Sequence, residues 1–256
     1  MTLHLDTEAI VLAALGHGEH GAVVRFLTAE RGLVAGYVAG GRSKRLRAAL
    51  ARGNVVRLRL DGRSEGQLAR ATVEPERSRA LIAYDPLALA MTEWLTGLAA
   101  TILPEGHPYP RLYTTFGSVL DIVEHAEDTA TRLRALARLE LLLLGELGFG
   151  LDLARCAATG AADDLAYVSP KTGRAVSRQA GADYAQRLFV LSPVLVGADG
   201  SDGDIADALA VTRHFIARDL VSGRHQALLD ARARVMRIAG PPWAGDVGGR
   251  PGEGSR

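Results

Sequence analysis

The sequence predicts an α+β protein, with a small β-barrel at the N-terminus followed by a larger helical part. Short apolar runs separated by Gly-containing turns fill the first eighty residues. From Tyr84 onward the apolar spacing changes to the helical repeat. The composition agrees: 48% apolar but only 5% aromatic residues make an aliphatic core of Leu, Ala and Val, which favours helix over an all-β chain. At 256 residues the chain can bury a substantial core and suits one large domain or two smaller ones.

Each element has a local reason. Ile10–Leu15 is an apolar run broken at Gly16-His17-Gly18. Ala22–Thr28 and Leu33–Ala39 flank the turn Ala29-Glu30-Arg31-Gly32 and read as a hairpin. After Gly40-Gly41, Ser43 caps a short helix within Ser43–Arg52, with Leu46 and Leu50 four apart on one face. Asn54–Leu60 alternates, with Val56, Leu58 and Leu60 on one side and Val55, Arg57 and Arg59 on the other. Gly66–Val73 pairs with it across Asp61-Gly62. Three strands, a short helix and two strands are the order of an OB-fold, although strands this short also fit another small barrel.

The helices follow. Asp85-Pro86 supplies a cap and first turn for a helix running to Leu103. A second is expected over Arg111–Ala126, and a third over Thr129–Leu147, stopping at Gly148. Residues 152–190 read as loop-rich, and two further helices fall near Asp204–Val221 and Arg224–Ala239. The expected plan is therefore an OB-fold over 1–80, a helical domain over 81–240 and a disordered Gly/Pro-rich tail over 241–256.

A net charge of +1 conceals an asymmetry. Residues 1–83 hold 13 Lys/Arg against 8 Asp/Glu, whereas residues 84–256 hold 17 against 21. The basic first third suits a polyanion and the mildly acidic remainder suits protein. The apolar stretch Leu139–Leu147 contains Glu140 and Glu146 and is too short to span a bilayer. With no export pattern at the N-terminus and one cysteine, the expected location is the cytoplasm.

The candidate binding residues are basic: Arg25, Arg42, Lys44, Arg45, Arg47, Arg57 and Arg59, with Arg52 and Arg70 nearby. A lone Arg on an outer strand face is ordinarily there for solubility. The group says more, because Arg57, Arg59 and Arg70 would share one barrel face and Lys44 sits beside the Gly40-Gly41 link. Such a groove can follow a phosphate backbone, with affinity that falls as salt rises. Tyr37 is as readily a core residue as a base-stacking platform.

No catalytic constellation is visible. Gly40-Gly41-Arg42-Ser43-Lys44 lacks the phosphate-loop spacing, and there is no G-x-S-x-G. His17 and His20 read as turn residues, and His214 and Asp219 are five apart, which keeps them off a common helix face. Asp163-Asp164 and Asp202 with Asp204 read as hydrated surface carboxylates rather than as a nuclease site. A zinc ribbon would need a cysteine partner to Cys156 at position 159 and a second pair further on, where Thr159, Ser177 and Ala180 stand instead. A buried, inert thiol without metal is expected, and no cofactor or small-molecule substrate is implied.

Three segments resemble the bacterial RecO family. The first is AIVLAALGHGEHGAVVRFLTAERGLVAGYVAGGRSKRLRAAL, with Thr28, Glu30 and Gly32 and the basic turn after them. The second is ARLELLLLGELGFGLDLARC, similar to the family's central helix. The third, Tyr167–Gly173, stands where some relatives carry a zinc-bearing lobe. The resemblance implies an OB-fold and a helical domain, single-strand DNA binding and annealing, and a role in DNA repair. It also implies three protein contacts: RecR, the C-terminal tail of the single-strand-binding protein, and RecA loaded onto coated DNA. DNA contact transfers to Arg42, Lys44, Arg45 and Arg47. The acidic tail would meet a groove with basic residues at its rim, for which Arg132, Arg134 and Arg138 are candidates.

Overall fold

The computed structural model describes residues 3–62, 68–221 and 225–243. Contacts divide the chain into two compact units, Met1–Glu124 and His125–Arg256, so the first two long helices fall with the barrel.

In the first unit β1 (Leu3–His17), β2 (Gly21–Thr28), β3 (Gly32–Val38), β4 (Val55–Gly62) and β5 (Ala69–Arg77) close a barrel in the order β1-β2-β3-β5-β4. Only β3 and β5 run parallel, and β4 closes on β1 antiparallel. This is the OB-fold order expected above. The alternation in β4 turns Val56, Leu58 and Leu60 fully inward, where they meet Val11, Val24 and Phe26. A short helix, α1 (Lys44–Ala49), joins β3 to β4.

Two boundaries differ from the sequence reading. β1 begins at Leu3, seven residues before the apolar run, because His4, Asp6 and Glu8 point outward while Thr7 and Ala9 point inward. Asp61 and Gly62 lie within β4, not in a turn, and Asp61 pairs with Arg70. Gly66 and Gln67, the expected start of the fifth strand, lie outside the described residues.

A 3-10 turn, Ala80–Tyr84, leads to α2 (Pro86–Ile102), whose N-terminus Asp85 caps by accepting from the Leu87 and Ala88 amides. α3 (Pro110–His125) follows. Arg79 is buried behind them. Its guanidinium meets the Gly53 carbonyl, Asp121 and Glu124, and its amide donates to Asn54.

The second unit holds α4 (Thr129–Glu146), α6 (Asp202–Phe215) and α7 (Gln226–Ala239). Ser201 and Asp204 form a capping box that starts α6, and a π-helical turn, Ile216–Leu220, ends it. The loop-rich stretch contains more order than expected. β6 (Leu165–Val168), β7 (Ala175–Ser177) and β8 (Phe189–Val190) form a three-stranded sheet, and α5 (Arg178–Gly181) follows β7. These strands hold two to four residues each, too few to carry a legible alternation. Trp243, within the stretch expected to be a disordered tail, is buried; the rest of that stretch, 244–256, lies outside the described residues, as does Arg224, the expected start of the last helix.

Candidate nucleic-acid interface

Three of the seven candidate cations, Lys44, Arg45 and Arg47, lie on α1, and the local chemistry explains how they are displayed. The Ser43 hydroxyl accepts from the Leu46 amide and starts the helix. Ala49 and Leu50 then turn into the barrel end, with Leu46 packed against the same core. Lys44, Arg45 and Arg47 are left on the outer surface. Among the described residues no carboxylate pairs with any of these three.

The link before α1 is packed rather than slack. A Cβ at Gly41 would stand 2.8 Å from the Ala22 Cβ and 3.1 Å from the Val38 carbonyl, so only glycine lets the backbone pass here. Arg42, next in line, donates its Nη1 to the Gly18 carbonyl at 3.0 Å and its amide to the His20 carbonyl at 3.1 Å. It fastens the β1–β2 turn to the start of α1 while remaining exposed. Arg42, Arg47 and Arg52 line a groove of about 710 Å3 with Ala14, Gly16 and Leu50. Arg52 braces this end of the barrel by donating to the Leu12 carbonyl and the Thr96 hydroxyl, both at 3.2 Å.

Arg57 and Arg59 stand elsewhere, on the wall where β4 meets β1. The Arg57 Nε donates to Asp6 Oδ1 at 2.6 Å, and Arg59 Nη2 meets Asp6 Oδ2 at 3.2 Å. In register, Arg57 lies between Glu8 on β1 and Glu74 on β5, with Glu76 also near. Asp6, Glu8, Glu74 and Glu76 thus outnumber the two guanidiniums on this wall. Hydrogen bonds from Arg57, then Arg59, hold the Asp6 carboxyl below its ordinary range. Glu76 moves the other way, raised by desolvation and by its hydrogen bond with Glu8.

Arg25 on β2 is bound within its own unit. Its Nη1 donates to the Ala100 carbonyl near the end of α2, and Nη2 lies 3.7 Å from Glu105. The structure therefore brings Arg42 and Arg47 to one groove, leaves Lys44 exposed beside them in sequence, turns Arg45 to a separate cleft with Val55 and Arg77, and keeps Arg25, Arg57 and Arg59 outside that group. The acids that hold Arg57 and Arg59 lie about fifty residues earlier in the chain. The charge alternation of His4, Asp6 and Glu8 was the signal for them.

The candidate rim residues on α4 also separate. Arg132 is buried. Arg134 Nε donates to the Asp199 carbonyl at 2.8 Å, and Arg138 Nη2 donates to the Gly197 and Ala198 carbonyls at 3.2 and 2.8 Å. One helical turn apart, these two hold the 197–199 loop.

Cys156, the one cysteine and the residue weighed as a zinc ligand from sequence, is fully buried. Its Sγ accepts from the Ser177 amide at 3.3 Å and lies 3.5 Å from the Ser177 hydroxyl. Hydrogen bonds from Ser177, then Thr159, lower the thiol to about 6, against the opposing effect of burial. Among the described residues no group of three His, Cys, Asp or Glu side chains is arranged to hold a metal ion. Of the carboxylates considered for a nuclease, Asp164 pairs with Arg178 and Asp204 closes the α6 cap. No described helix is long and apolar enough to cross a membrane.

Comparison with known proteins decides the family. Residues 1–79 match the model of the recombination protein O N terminal domain, and residues 83–228 match that of its C terminal domain. The chain belongs to the RecO family. The DNA repair protein RecO of Phenylobacterium zucineum is 42% identical over 237 residues, covering 91% of this chain and 96% of that protein. That of Caulobacter vibrioides is 41% identical over 239 residues, covering 92% and 94%. That of Paracoccus denitrificans is 44% identical over 230 residues, covering 90% and 93%. Both RecO domains are thus present in order, and the OB-like barrel is the N-terminal one.

Proposed function

We propose that this RecO-family chain is a recombination mediator in DNA repair that binds single-stranded DNA at the α1 end of its barrel. The observation that carries this reading is the exposed group Lys44, Arg45 and Arg47, without carboxylate partners among the described residues and continuous with Arg42. Flexible cations of this kind meet phosphates without reading sequence, and OB barrels offer a groove for an unpaired strand. The chain performs no chemistry of its own in this reading. It anneals complementary strands and, with RecR, helps load RecA onto DNA coated with single-strand-binding protein, whose C-terminal tail it also binds. Such work belongs in the cytoplasm, at the nucleoid. The tail contact rests on family likeness rather than on Arg132, which is buried.

The test is fluorescence anisotropy with an unstructured oligonucleotide across a salt series. Replacing Lys44, Arg45 and Arg47 by Ala should weaken binding and flatten the logarithmic salt slope by about two, given roughly 0.7 per phosphate contact on single strands. Undiminished binding by the triple variant rejects this site.

A second reading is favoured by Arg25, Arg57 and Arg59, whose guanidiniums already have partners in the protein. In it the chain is an adaptor that joins repair proteins without touching DNA. Recovery of RecR or the single-strand-binding protein, together with no oligonucleotide binding at low salt, selects it.

A further inference from the structure

The outer face of the barrel carries a second surface, distinct from the α1 cations. Tyr37 on β3 pairs in register with Val23 on β2 and with Arg70 on β5, and Val23 pairs with Leu15 on β1. Leu15, Val23, Tyr37 and Arg70 therefore form one row across four strands. The Tyr37 ring is fixed in place. It lies over Gly21, where a Cβ would stand 2.3 Å from the phenol oxygen, and the His17 ring meets it edge-on at 5.9 Å.

Two features of this row are unusual for a solvated strand face. Leu68, which lines the same hollow as Tyr37, is 50% exposed, and Leu15, two strands away across Val23, is 67% exposed, so large apolar side chains stand in water along this side of the barrel. Arg70 is exposed and makes no ion pair among the described residues: Asp61, opposite it in register on β4, turns its carboxylate to His4 at 2.8 Å. His17, Tyr37, Ala39, Leu68 and Arg70 line an open concavity of about 600 Å3. An apolar floor, a rigid, partly buried ring and a guanidinium without an ion pair suit a planar, anionic-backbone ligand: the ring meets a π-face and the guanidinium a phosphate. The hollow also adjoins the phosphate-binding group. Arg42 holds the Gly18 carbonyl, one residue from His17.

We infer that Tyr37, flanked by His17 and Leu68 and with Arg70 as its phosphate contact, is a stacking platform for an unpaired nucleobase. The inference rests on the single-strand reading above and adds a base contact to its phosphate contacts. A strand held at α1 alone would be gripped by its backbone. A strand that also reaches Tyr37 would be held by a base and so distinguished from duplex, whose bases are stacked on one another.

The experiment uses the full chain and two labelled probes of equal length, oligo-dT and an abasic deoxyribose-phosphate oligomer. Tyr37→Ala should lower affinity for oligo-dT by about tenfold, as expected for the loss of one stacked base, and leave the abasic probe unchanged. Tyr37→Leu, which keeps an apolar cover over Gly21, should show the same selective loss. Tyr37→Trp should retain binding and give indole quenching with oligo-dT but not with the abasic probe, against a constant emission from Trp94 and Trp243, which are buried away from the probe. Equal losses on both probes, or wild-type oligo-dT affinity in both Tyr37→Ala and Tyr37→Leu, overturns the platform and leaves the phosphate site standing. Failure of the unaltered protein to bind either probe removes the single-strand reading as well.

Discussion

Asp6 and Arg57, fifty-one positions apart, meet across the seam of the barrel with the carboxylate 2.6 Å from the guanidinium Nε. The same carboxylate reaches Arg59. Both arginines alternate outward from a clean strand, the pattern expected of a DNA-binding face, yet β1 brings its own acids to that face. Competition between Asp6 and phosphate for these guanidiniums is open to measurement.

Asp6→Asn should remove the charge that holds both arginines, with Glu8 and Glu74 still beside Arg57. The expected outcome is tighter binding to single-stranded DNA at low salt, with a logarithmic salt slope steeper by up to about 1.4, from two added contacts at roughly 0.7 each. Anisotropy titrations at several salt concentrations check it. Unchanged affinity and slope would place the wall outside the DNA path. The pH sense is fixed by the lowered Asp6 carboxyl. Its pairs are fully present above the ordinary carboxylate range and are lost as pH falls through the depressed folded value.

Arg25→Met should alter stability, not DNA binding. The guanidinium holds the Ala100 carbonyl near the C-terminal end of α2 and leans on Glu105. A charged hydrogen bond to a helix end contributes about 1 kcal/mol when partly exposed. Urea unfolding should show that loss while oligonucleotide affinity stays within about twofold, less than one phosphate contact is worth at low salt.

Arg232 and Glu140 form a buried ion pair in the second unit, with Nε to Oε1 at 2.8 Å and Nη2 to Oε2 at 2.9 Å. Arg232 also donates to the Leu209 carbonyl, and Thr212 donates its hydroxyl to Glu140. Arg232→Met should destabilise by about 3–5 kcal/mol, because the carboxylate is left buried without its counter-charge. Adding Glu140→Leu to Arg232→Met should recover most of that loss, as removal of both charges avoids the penalty. A double variant less stable than Arg232→Met would show instead that the hydrogen bonds dominate over desolvation.

Cys156 should resist thiol reagents in the folded protein even though its hydrogen bonds favour the thiolate. Access decides, since the residue has no exposed surface. Reaction with a chromogenic disulfide should proceed only in denaturant, at a rate that follows unfolding. Rapid labelling at neutral pH in native buffer would show that the 156–177 region opens.

The sequence by itself determined the local elements. The alternation at Val56, Leu58 and Leu60 set the inward face of β4, Ser43 started α1, and Asp85 capped α2. Those features depend on periods and caps spanning a few residues, which a chain displays wherever it folds. The spacing of α1 likewise put Leu46 and Leu50 on one face. Only the tertiary structure decided which cations stay available. Arg57 and Arg59 met Asp6 because β4 closes on β1, and Arg25 met Ala100 because α2 packs beside the barrel. Glu140, which interrupts an apolar run in sequence, turned out to be buried against an arginine ninety-two positions away. The physical reason is that a charge is free or neutralised according to neighbours chosen by strand closure and helix packing, and such neighbours leave no trace in local spacing.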